Sequence, residues 1–133
     1  MSAISYTAVD RGELAVGHTS GTSYIFDVGL NKWDKSVARK KSDQVSLSGN
    51  RETLLHRVDR TVQVSTVPIK DESILESMRE FLSSILGNEK FSVDLRGSVL
   101  VPNSSVLASL DGNPTEQRQG RSDTYIFTFK IRL

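Results

Sequence analysis

The alternation of apolar and polar positions is sharpest at the C-terminal end. From Tyr125 to Leu133 every odd position is apolar, while Thr128, Lys130 and Arg132 take the other face. A period of two predicts a half-buried strand. The pattern changes period between positions 71 and 87. Ile74, Leu75, Met78, Phe81, Leu82, Ile85 and Leu86 recur at the spacing of one helical face. Asp71 is placed to cap that helix, Glu72 complements its dipole, and Gly87 stands where a left-handed residue would end it. An apolar helical stripe must lie on something, and a sheet is the only large partner the rest of the chain offers.

Ahead of the helix, positions 54 to 66 alternate and predict one long strand from about Thr53 to Thr66, with a break near Asp59 as an alternative. Tyr24, Phe26, Val28 and Leu30 predict another strand over about 22–30. Weaker strand patterns cover Ser5–Val9, Leu14–His18, Gln44–Leu47, Phe91–Leu95 and Ser98–Leu110, the last with a turn at Pro102-Asn103. Two polar stretches read as exposed loops, at about 31–43 and 111–123. The fold class expected is mainly β (α+β): a β-sandwich or rolled antiparallel sheet with one amphipathic α-helix packed against it, in a single domain spanning 1–133.

Charge changes the picture by exclusion. Seventeen basic and 16 acidic residues nearly cancel, so there is no electrostatic reason to expect a specific nucleic-acid partner. The longest apolar runs are far shorter than the roughly 20 residues that span a bilayer, so no membrane segment is expected. Met1-Ser2-Ala3-Ile4 lacks a basic stretch followed by an apolar run, so no secretory leader is expected either.

Catalytic chemistry finds little support. With no cysteine, thiolate metal sites and thiol nucleophiles are ruled out. His18 and His56 have no partners at metal-ligand spacing, and a half-buried strand histidine is the simpler reading of His56. No serine sits in a nucleophile elbow. Asp10/Glu13 reads as a turn and Asp71/Glu72 as a helix start, rather than as a hydrolytic carboxylate pair. Gly17–Gly21 lacks the lysine that completes a phosphate loop. The expectation is a protein that is not an enzyme and needs no cofactor and no metal.

What remains are candidate protein-interface residues. Trp33, Lys35 and Arg39 lie in the first polar stretch, and Glu116, Arg118 and Arg121 in the second. Trp33 in polar surroundings suits either a contact anchor or local packing.

Ser48-Gly49-Asn50 precedes a long strand ending Thr61-Val62-Gln63-Val64-Ser65-Thr66-Val67-Pro68. The helix with Leu75-Glu76-Ser77-Met78-Arg79-Glu80-Phe81-Leu82 follows, then Gly87-Asn88-Glu89-Lys90-Phe91-Ser92-Val93-Asp94-Leu95 and the closing aromatic strand. This order resembles the small tail-tip proteins of long-tailed bacteriophages, the distal tail protein and lambda-type minor tail protein M families. The resemblance covers about residues 45–95 and 124–133, and its motifs are patterns rather than signatures.

The resemblance implies a structural subunit of a tail tip or baseplate. It would be made in the host cytoplasm and assembled into the virion tail. Its partners would be further copies of itself in a ring, hexameric by preference and trimeric in some tails. The neighbouring tail-tube and tail-tip or hub proteins would be the others. A small β-sandwich module binding a peptide or carbohydrate is the alternative.

Overall fold

The computed structural model describes residues 2–45, 51–121 and 123–133, with side chains described outside 39–45 and 51–58. The elements in chain order are β1 (Ser2–Thr7), β2 (Ser23–Val28), β3 (Leu30–Val45), β4 (Arg51–Thr66), α1 (Glu72–Ser84), β5 (Phe91–Asp94), β6 (Ser105–Leu110), β7 (Thr115–Gln119) and β8 (Thr124–Arg132). The strands form one eight-stranded antiparallel sheet in the order β2-β1-β5-β6-β8-β4-β3, with β7 pairing with β8 beside that path. The fold is mainly β, with one helix packed against the sheet.

The connectivity forces the sheet to curl. β2 and β3 stand at opposite ends of the strand order, yet only Gly29 separates them in the chain. The two ends can meet there only if the sheet curls round on itself. At the meeting point the Val67 N–H donates to the Gly29 carbonyl at 2.9 Å. A Cβ on residue 29 would come within 2.7 Å of a Val67 methyl, so glycine is needed for the close approach.

The helix fills the concave side. Asp71 caps it, accepting from the Ser73 N–H at 2.9 Å. Phe81 lies at the centre of the core, with the rings of Tyr6, Phe26, Phe91 and Phe129 edge-on to it at 4.9–6.1 Å. The strand side chains that face it are the ones that alternation marks, including Val62, Val64, Phe127, Phe129 and Ile131.

Several boundaries differ from the sequence reading, for physical reasons. Residues 31–43 are not a loop. They lie in β3, which pairs with β4 from Leu30↔Thr66 to Val45↔Arg51 with two register shifts. Residues 31–38 are mostly exposed, so nothing selects an apolar face and the alternation that marks a strand is missing. In the same way, 111–123 is not one loop, because Thr115–Gln119 form β7 against Thr124–Thr128, with every side chain of β7 exposed. β4 runs unbroken through Asp59.

Leu14–His18 forms no strand and belongs to the connection between β1 and β2. Pro102-Asn103 precedes β6 rather than dividing two strands. The left-handed residue after the helix is Asn88 (φ 67°), not Gly87. A Cβ at 87 would come within 2.7 Å of the Arg11 guanidinium and 2.6 Å of the Glu89 carboxylate, both ends of flexible side chains that could shift aside. Gln44–Leu47 extends beyond the described residues after Val45, and the His56 side chain also lies outside them.

Candidate functional site

The longest strands of the fold, β3 and β4, pair as one extended hairpin. β4 pairs with β8 over Thr61–Ser65, whereas Arg51–Arg60 have, among the described residues, β3 as their only strand partner. Beyond Val37 and Arg60 the hairpin leaves the body as a two-stranded ribbon, on the order of 30 Å long at the usual rise per residue. An isolated two-stranded ribbon is marginal in water. At its root Val37 is 56% exposed. The hairpin is basic: Lys32, Lys35, Arg39, Lys40, Lys41, Arg51, Arg57 and Arg60 outnumber Asp34, Asp43, Glu52 and Asp59.

The residues singled out from sequence fall into two groups. Trp33, Lys35 and Arg39 all lie on β3, opposite Val64, Val62 and Val58. Trp33 is half-buried and packs against the core, while Lys35 is exposed. Glu116 and Arg118 lie on β7, and Arg121 lies exposed in the turn before β8. β4 and β8 stand between β3 and β7, so one subunit does not bring the two groups together. Glu116 accepts from Arg79 Nε at 2.7 Å, and Arg118 donates to Asp123 at 2.6 Å. The bond to Glu116 raises the Arg79 pKa, and the same guanidinium lies 5.3 Å from the Tyr125 ring centre.

A polar cluster that the sequence reading missed lies under the β1–β2 connection. Glu80 is fully buried on the helix. It accepts hydrogen bonds from the Tyr6 hydroxyl, from the Ala15 N–H at 2.6 Å and from His18 Nδ1 at 2.7 and 2.9 Å. The His18 ring stacks on Tyr24 with centres 3.8 Å apart. Burial by itself would raise the Glu80 pKa, but the bonds from Tyr6, Ala15 and His18 outweigh it and hold the carboxyl below the ordinary range. Burial, with the Glu80 carboxylate beside it, pushes the Tyr6 phenol well above its ordinary range.

The same connection closes the end of the helix. Arg11 donates to the Ser83 and Ser84 carbonyls at 3.0 and 2.8 Å and pairs with Glu89, while the Val9 N–H donates to the Ser84 hydroxyl. The last turn of α1 has no basic residue of its own, so Arg11 supplies the positive charge that the carbonyl end favours. Glu80, Ser83 and Ser84 therefore form a second buried helix face, met by the β1–β2 connection and by Tyr6 of β1. The spacing of Glu80 to Ser83 and Ser84 is a helical signal, but their polarity disguises it as a solvent face.

Chemically this cluster is a clamp. The Glu80 carboxylate is occupied by donors from Tyr6, Ala15 and His18. Among the described residues no three His, Cys, Asp or Glu side chains gather to hold a metal ion. Two adjoining clefts, of about 540 and 310 Å³, run along α1 beside the β7–β8 hairpin and share Glu13 and Arg79. Among the described residues no helix is long and apolar enough to cross a membrane.

No protein-family model and no curated protein matches the sequence. Among solved structures, a chain in the virion of a native gene transfer agent particle is similar at a TM-score of 0.48 and 17% identity, over 78% of this chain and 78% of that one. A chain in the tail of an empty gene transfer agent particle, refined helically with C6 symmetry, is similar at a TM-score of 0.48 and 16% identity, over 79% of this chain and 77% of that one.

Proposed function

We propose that the chain is a structural subunit of a virion tail, placed at the tail tip or baseplate. Copies close into a ring, of six by preference and three as the alternative, that joins the tail tube to the host-recognition apparatus. The observation that carries this reading is the ribbon. A hairpin whose outer part meets no third strand among the described residues gains by lying on a neighbour. A contact between two different patches repeats head to tail and closes into a ring when the rotation allows.

The two groups of interface candidates suit such a contact. Lys35 and Arg39 on β3 are basic, whereas Glu116, Arg118 and Arg121 form a mixed patch two strands away. The setting comes from the sequence resemblance to tail-tip proteins over 45–95 and 124–133. The carbohydrate-binding alternative gains little from the surface, because among the described residues the exposed large apolar side chains are all aliphatic.

The test is the molar mass of the purified chain by light scattering, compared with a Lys35→Glu/Arg39→Glu variant. The expected result is a closed oligomer that the double variant shifts to smaller species with its fold intact. An oligomer indifferent to the ribbon charges, or a chain that never oligomerises, would end this reading.

A further inference from the structure

Three strands bound the sheet, and they are not alike. β3 carries Lys32, Lys35, Arg39, Lys40 and Lys41 and two register shifts against β4, features that discourage stray pairing. β7 is short and wholly polar, Thr-Glu-Gln-Arg-Gln, with its arginine engaged by Asp123. β2 has none of these protections. Its sequence, Ser-Tyr-Ile-Phe-Asp-Val, is rich in strand formers and lacks lysine, arginine and proline. It pairs with β1 through six consecutive residues without irregularity. Among the described residues, β1 is its only strand partner. Its one ionisable acid, Asp27, accepts the Val99 N–H at 3.0 Å.

The face beside this edge sets exposed aliphatic side chains among serines. The pairings align Ile25, Ser5, Ser92 and Leu107 in one row across β2, β1, β5 and β6. Ile25 is 53% and Leu107 62% exposed. Beside the row stands the loop before β6, held by Asp94, which accepts from the Gly97 and Asn103 N–H groups at 2.8 and 2.7 Å. That loop turns Leu100, 90% exposed, towards solvent. A loop fixed by hydrogen bonds yet tipped with leucine is pre-organised for an apolar contact.

We infer that the β2 edge is a pairing surface for the β2 edge of a second copy, antiparallel, with Ile25 opposite Ile25. A two-fold axis perpendicular to the sheet keeps outward side chains on one side, so facing residues must share parity. In this register Ile25 meets Ile25, Tyr24 faces Phe26, and each Asp27 faces the Ser23 hydroxyl of the other copy rather than its aspartate. Another β2 complements this edge position by position, apolar against apolar and Asp27 against Ser23. This contact rests on none of the ring reading. It closes after two copies, and with a head-to-tail ribbon contact it would join subunits of separate rings.

The absence of cysteine makes the register directly testable. Facing residues of an antiparallel pair have Cα atoms about 4.5–5.5 Å apart, within the disulfide range of about 4.4–6.8 Å. Under mild oxidation Ile25→Cys forms a covalent dimer at least roughly tenfold faster than Val16→Cys, an exposed control on the β1–β2 connection. Ser23→Cys by itself stays slow, while an equal mixture of Ser23→Cys and Asp27→Cys cross-links. Ile25→Lys, which places two ammonium groups face to face, melts like the wild type but loses the concentration-dependent dimer in sedimentation equilibrium. Equal cross-linking rates for Ile25→Cys and Val16→Cys, or a dimer that survives Ile25→Lys, would overturn the inference.

Discussion

The rolled body and the ribbon share two strands but obey different rules. Within the body Val62 and Val64 of β4 are buried under Phe81 and the closing strand, and alternation along the chain is strict. On its partner β3, Val37 faces solvent and alternation is missing over 31–38, yet the backbone ladder continues. The difference shows that period two records one-sided burial, not strand formation as such. A strand wet on both faces leaves no apolar signature, so its composition imitates a loop.

The contrast can be broken most severely at the body's centre. Phe81→Asp puts an unpaired charge among four aromatic rings and should cost more than about 4 kcal/mol, enough to abolish cooperative thermal unfolding followed by circular dichroism. A soluble variant with a sharp transition would refute the packing. Next comes Glu80→Leu, which strands the Tyr6 hydroxyl, the Ala15 N–H and His18 Nδ1. A loss of about 3 kcal/mol in urea unfolding is expected, with Glu80→Gln milder because its amide oxygen still accepts.

The same carboxylate predicts a pH dependence of smaller size. Its folded pKa lies below the ordinary glutamate value of about 4.3, so its stabilisation is complete above that value and fades as pH falls through the folded pKa. Urea midpoints should drop on acidification below about pH 4.3 in the wild type, and this part of the drop should be missing in Glu80→Leu. The smallest effect belongs to the ribbon. Val37→Asp should change the melting free energy by less than about 0.5 kcal/mol, since the side chain is already exposed, while weakening any assembly that uses the ribbon. A large fall in stability there would mean that the ribbon is part of the body after all.

Much of the body was legible before any coordinates. The helix and its Asp71 cap, the strands closing on Phe127, Phe129 and Ile131, and the long strand carrying Val62 and Val64 all follow from local periodicity. Trp33 was legible only as two options, and its half-buried place against the core favours packing. Glu116 and Arg118 were legible as charged surface but not as partners of Arg79 and Asp123, because charge does not name its counterpart. The Glu80 cluster was invisible, since a glutamate on a helix ordinarily faces water.

The sequence by itself determined which stretches bury one face, because burial writes its period into neighbouring residues. It also determined that no thiol chemistry is available. Only the tertiary structure decided that the sheet rolls, that β3 and β7 are strands, and that the β1–β2 connection clamps Glu80. Those features depend on which distant segment lies alongside, and a backbone hydrogen bond or a saturated carboxylate leaves no mark on the residues next to it.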